Sequence, residues 1–150
     1  MSKVELVIYG DPEAKKRPRV SFRDGVVRTY TPNETVNYES LIRHEYTEKY
    51  GGITFERDIP IIVSIYAYFG LSKCDYCKKG LSKSGREKMD IGYCMTNKDI
   101  DNIAKIVLDA LNKVCFVDDK QVVVLNCYKK WTQETPRVEI TLESLRELWE

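Results

Sequence analysis

The sequence predicts an α/β fold of the α+β kind: a single compact domain over residues 1–150, with a mixed β-sheet flanked by helices. Three observations carry that expectation. Apolar, β-rich runs lie at Val4–Tyr9, Pro60–Phe69, Gln121–Trp131 and Arg137–Leu142. A strongly periodic stretch, Asp99–Val114, has the spacing of an amphipathic helix. Hairpin signals interrupt the order too often for a pure βαβ series. A chain of 150 residues with 43% hydrophobic and 31% charged residues can bury a core and is not a disordered polypeptide.

Val4–Tyr9 (VELVIY) reads as a first strand, stopped by the turn signal Gly10-Asp11-Pro12. Arg19–Phe22 and Val26–Tyr30 flank Asp24-Gly25, a dipeptide suited to the positive φ angles of a tight hairpin. Thr31, Pro32 and Glu34 have the pattern of an N-cap, first helical residue and capping-box partner. That helix should run to about Tyr50 and stop at Gly51-Gly52, with Tyr38, Leu41, Ile42, Glu45 and Tyr46 on one face. Pro60–Phe69 (PIIVSIYAYF) is apolar enough to be a central strand. Leu71–Thr96 is polar and weakly periodic, and reads as a long insertion (71–96) that could hold a short helix. Asp99–Val114 carries an apolar stripe of Ile100, Ile103, Ala104, Val107, Leu108, Leu111 and Val114. Gln121–Trp131 and Arg137–Leu142 close the order as a pair of strands, before a short C-terminal helix.

No run approaches the roughly 18 consecutive apolar residues of a membrane span. Met1 leads into Lys3 and Glu5 rather than a signal core. Five Cys form no regular disulfide framework, so a reducing, cytoplasmic setting is expected. Twenty-four Lys and Arg against 23 Asp and Glu leave a net charge of only +1, but the charge is unevenly spread. Lys15, Lys16, Arg17, Arg19, Arg23 and Arg28 face Asp24 alone and are interleaved with Phe22 and Tyr30. A second basic stretch runs from Lys73 to Lys88, and the C-terminal tail is acidic. Local basic clusters attract phosphate backbones whatever the total charge, although a solvated basic surface without a ligand has the same composition.

The periodic helix is also the site of an acidic cluster. Asp99, Asp101 and Asp109 lie along it with Lys105, and Asp118-Asp119 follow in the loop before the next strand. Asp101 and Lys105 share a face, and Asp99 stands where the helix N-terminus favours a carboxylate. Crowded carboxylates repel unless a cation compensates them. Mg²⁺, a hard ion held by one or two carboxylates, water and substrate phosphate, suits that task and supports phosphodiester hydrolysis. A helix of about 15 residues is about 22 Å long, so Asp119 cannot reach Asp101 along it. The loop must fold back, or two chains must bring their carboxylates together. By spacing alone, the cluster is equally an acidic helix start, a surface ion pair and an Asp-Asp turn.

Asp99-Ile-Asp101-Asn102-x-x-Lys105-x-x-x-Asp109-Ala-Leu111-Asn112, followed by Phe116-x-Asp118-Asp119-x-Gln121-Val122, resembles the signature of the RusA family of Holliday junction resolvases. Gly10-x-Pro12-x-x-Lys15-Lys16-x-Pro18-Arg19 and Tyr30-Thr31-Pro32 resemble that family's opening motif. The resemblance covers both ends of the expected core and leaves mainly 71–96 unmatched. It implies a RusA-like fold and a homodimeric, Mg²⁺- or Mn²⁺-dependent endonuclease of phage or prophage origin that cuts four-way DNA junctions. It further implies that Asp99, Asp101 and Asp119 (Asp118 as the alternate) are the metal-binding carboxylates and Lys105 the catalytic lysine. Lys15, Lys16, Arg17 and Arg19 would contact the DNA backbone. A flap or fork nuclease of the same chemistry and a non-catalytic DNA-binding protein are the rival readings.

Cys74-Asp75-Tyr76-Cys77 is a C-x₂-C pair with Cys94 downstream, but no second pair completes the four ligands of structural zinc. Reduced thiols are therefore expected in place of a zinc site. His44, the single His, is expected to be a packed or surface residue.

Overall fold

The structure, a computed structural model, describes residues 3–146. A four-stranded mixed sheet has the order β1 (Lys3–Tyr9), β8 (Arg137–Ser144), β4 (Ile61–Gly70), β7 (Val122–Thr132). β1 and β4 run antiparallel to β8, and β4 runs parallel to β7. The expectation of a central Pro60–Phe69 strand is met: β4 is paired on both sides and its odd-numbered residues, Ile61 to Phe69, are buried. The last two strands do not pair with each other, because β4, with both its edges hydrogen-bonded, lies between them.

Helices α1 (Asn33–Tyr50) and α3 (Ile100–Leu111) pack together on one face of the sheet. α1 starts one residue later than the capping pattern suggested. Pro32, not Thr31, is the cap; it makes no side-chain cap bond, and its carbonyl accepts the amides of Thr35 and Val36. Its buried face is Thr35, Tyr38, Ile42 and Tyr46, while Leu41 and His44 face outward. α3 ends at Leu111, short of Val114, because Asn112 turns extended (ψ 130°) and Lys113 then adopts a left-handed φ of +64°. Ile103, Ile106, Val107, Ala110 and Leu111 are fully buried, joining Ile8, Ile42, Ile65, Phe116 and Ile140 in one core. Burial of each such side chain stabilises the fold by roughly 1.5–3 kcal/mol.

The segment 71–96 is ordered as a knob. A 3₁₀ turn at Lys73–Asp75, the short hairpin β5 (Tyr76–Cys77) and β6 (Gly80–Leu81), and helix α2 (Lys83–Ile91) surround the fully buried Asp75. Its carboxylate accepts from Lys88 Nζ at 2.9 Å, Ser84 Oγ at 2.8 Å and the Ser72 amide and hydroxyl. These donors, Lys88 foremost, hold its pKa far below the ordinary carboxylate range. Gly85 admits this packing: a Cβ there would stand 2.1 Å from the Asp75 carbonyl oxygen. Lys88 also lies over the Trp131 ring, so the knob docks on β7.

Both sheet edges are partly closed. On β1, the Glu5 amide donates to Tyr50 Oη and its carbonyl accepts from Lys49 Nζ, so α1 side chains satisfy that rim. On β7, Gly92–Cys94 covers the distal half: Trp131 N donates to Gly92 O and Cys94 N to Lys129 O. The proximal half, Val122–Cys127, has no outer strand among the described residues and exposes Val123, Val124 and Leu125. The expected C-terminal helix lies largely outside the described residues.

Candidate active site

The N-terminus of α3 opens onto a cleft of about 480 Å³, lined by Tyr93, Cys94, Asp99, Ile100, Asp101, Cys127, Tyr128 and Lys129. Asp99 is the N-cap, in extended conformation, and its side chain makes no cap bond. Asp101 is exposed in the first turn. Both carboxylates therefore remain available to an external cation beside the positive end of the helix dipole. No ion pair within 4 Å involves Asp99, Asp101 or Lys105 among the described residues. Lys105 is exposed one turn beyond Asp101 and does not line the cleft.

Lys129 Nζ donates to Thr96 O at 3.1 Å, tying β7 to the strand-to-helix connection that delivers Asp99. Burial pushes the Cys127 thiol up to about 11 and raises Cys94 as well. At neutral pH both stay protonated, and neither is an activated nucleophile. Tyr93, Tyr128 and Lys129 carry no motif in the sequence. A Lys pair inside the otherwise apolar β7 run was the one available sign.

Asp118 and Asp119 stand elsewhere. Asp118 caps the 3₁₀ turn Asp119–Gln121: its Oδ1 accepts the Lys120 amide at 3.0 Å, which lowers its pKa. Buried Gln121 fixes the turn, accepting from the amides of Val117 and Asp118 and donating to the carbonyls of Glu56 and Ile59. Asp119 is left exposed. Lys120 and Gln121 line a separate cleft with Arg57, Asp58 and Pro60. Between Asp119 and the Asp99–Asp101 cleft lies the extended run Val122–Cys127, about 17 Å long. The loop does not fold back within one chain, and among the described residues no three acidic, Cys or His side chains gather around a metal position. Asp99 and Asp101 alone match the one or two carboxylates by which Mg²⁺ is commonly held.

The basic residues divide as well. Lys15 is drawn inward: its ammonium bonds Glu39 Oε1 at 3.0 Å and Asp109 Oδ2 at 2.5 Å, while its amide donates to Asn102 O. Burial opposes its charge, but these two carboxylates outweigh burial and raise its pKa. Lys16, Arg17 and Arg19 are exposed, Lys16 within 3.6 Å of Glu34. They lead from the α3 N-terminus into a free-standing ribbon, β2 (Arg19–Arg23) and β3 (Val26–Tyr30).

An acidic cleft at a helix start, approached by a basic arm, can receive a phosphate backbone: the arm would draw the anion and the carboxylates its counterion. The profile of the endodeoxyribonuclease RusA family matches residues 10–143. The chain belongs to that family. It is also 29% identical over 147 residues to the uncharacterized protein YqaN of Bacillus subtilis (strain 168), covering 97% of this chain and 99% of that protein.

Proposed function

We propose that the protein is a metal-dependent, structure-specific endodeoxyribonuclease that resolves four-way DNA junctions as a homodimer. The observation that carries this reading is the pair Asp99 and Asp101, unpartnered in a cleft beside an exposed basic arm, in a chain of the RusA family. Asp99 and Asp101 would hold Mg²⁺ or Mn²⁺, with Asp119 as the third carboxylate. When bound, such an ion polarises the scissile phosphate and acidifies a water molecule. Lys105 offers a positive charge along the same helix face for the phosphate in its transition state. Lys16, Arg17 and Arg19 hold the backbone of the incoming arm. Lys15, already bonded to two carboxylates, serves instead to brace the arm against α3.

The open half of β7 supports a composite site. Antiparallel pairing of two copies about Val124, over the open stretch Val122–Cys127, would carry the turn that bears the partner's Asp119 toward the end of β7 where Lys129 lies. Lys129 lines the cleft that holds Asp99 and Asp101, so each site would draw on both chains. Asp118, spent on its own turn, is the weaker candidate for that contribution. Two such sites related by a two-fold axis suit a junction with two strands to cut.

The test is a substrate panel of four-way junction, flap, fork and duplex with Mg²⁺ or EDTA. Paired nicking of the four-way junction, abolished by EDTA, is the expected result. Asp101→Asn should lower nicking at least about a hundredfold while leaving junction binding intact in a gel-shift assay. Preference for flaps or forks would move the assignment to that substrate, and binding without cleavage would leave a DNA-binding protein.

A further inference from the structure

The ribbon β2–β3 stands apart from the sheet and is solvated on both faces. All its residues but Ser21 are exposed. Its turn, Asp24 at φ +52° and Gly25 at φ +74°, keeps two five-residue strands in register. Pleating then sorts the side chains. Arg19, Ser21, Arg23, Val26, Arg28 and Tyr30 lie on one face; Val20, Phe22, Val27 and Thr29 lie on the other. Phe22 is 75% exposed, Val20 66% and Val27 58%. A two-stranded ribbon is marginal alone in water, and one with a bare apolar face needs an occupant.

We propose that this apolar face, led by Phe22, is a wedge that inserts among the bases at the crossover point of branched DNA. The inference rests on the branched-DNA reading above. Charge selects the occupant: the reverse face carries three Arg, and the arm leading to it carries Lys16 and Arg17. Two ribbons packed apolar face to apolar face would leave both Arg faces without an anion, whereas a nucleic acid supplies phosphates for the Arg face and flat apolar surfaces for Phe22. Bases at a branch point have lost a stacking neighbour, so separating them costs less than opening a duplex. The location also fits. The arm is bonded to α3 through Lys15 N to Asn102 O, and Phe22 lies three residues, about 10 Å, beyond Arg19. The wedge would open the crossover while Asp99 and Asp101 meet a strand beside it.

The experiment uses the full chain and a four-way junction with 2-aminopurine next to the branch point, with Ca²⁺ replacing Mg²⁺ during binding. Wild type should raise the 2-aminopurine fluorescence, and Phe22→Ser combined with Val27→Ser should abolish the rise. With Mg²⁺ the double variant should nick the fully paired junction about tenfold more slowly, the effect of losing one stacked base. It should recover on a junction with unpaired bases at the branch. Undiminished nicking of the paired junction, or a deficit that unpaired bases do not relieve, would overturn the wedge and leave the nuclease reading standing. Conversion of a DNA-free dimer to monomer by the double variant, seen by sedimentation, would overturn it in favour of a contact between copies. Failure of wild type to bind any branched substrate would refute both readings, and would show in the wild-type protein rather than the variant.

Discussion

Lys15 and Asp118 show how a matching residue type can be spent on structure. Both sit within stretches that resemble the family's motifs, yet one is bonded to Glu39 and Asp109 and the other caps its own turn. The Lys15 pairing makes a pH-dependent prediction. Because its folded pKa is raised, its contribution is present in full below the unfolded value, about 10.4, and is lost as pH rises through the folded value. Lys15→Met should therefore cost about 2 kcal/mol of unfolding free energy at neutral pH. The difference from wild type in urea titrations should persist to about pH 10 and shrink above it. The Lys15 pairing was not legible in the sequence, because its partners lie on two helices distant along the chain, whereas Asp118-x-x-Gln121 has the spacing of a capping box. The exposure of Asp99 and Asp101 was better signalled, since a carboxylate at a helix start needs no burial.

At the scale of elements, the strongest local signals were the most faithful. The Asp24-Gly25 turn and the apolar β4 run form where their turn chemistry or periodicity requires, and the α3 stripe does so from Ile103 to Leu111, while Ile100 is exposed and Val114 lies past the helix. The order of strands was not legible, since the exchange that puts β4 between β7 and β8 depends on pairing across the whole sheet. Nor was the knob, whose organisation turns on one buried carboxylate in a polar segment. The loop that presents Asp119 depends in the same way on Gln121, whose side chain links five backbone groups across two loops. Gln121→Met keeps the volume but strands those groups, and should cost about 2–4 kcal/mol, measured as a lower urea midpoint with an unchanged slope.

For the molecule as a whole, the separation of Asp119 from the cleft makes the proposed three-carboxylate site a matter of assembly. Asp101→Asn and Asp119→Asn should each be inactive alone. If each site draws carboxylates from two chains, a mixed dimer of the two variants has one site with both losses and one with none. Mixing them after joint refolding should restore single-strand nicking of junctions, whereas sites complete within one chain would stay dead. The sheet rims bear on the same assembly. A bare strand margin is normally an invitation to unlimited lateral growth. Here Tyr50 and Lys49 occupy one margin and Gly92–Cys94 half of the other. Beyond Glu5 the β1 margin stays open, and among the described residues Val122–Cys127 is the apolar stretch left bare on β7, able to zip with its own mirror-running twin. Were two chains to join there, each would hide its most apolar strip, so the architecture that permits pairing would also work against a fibre.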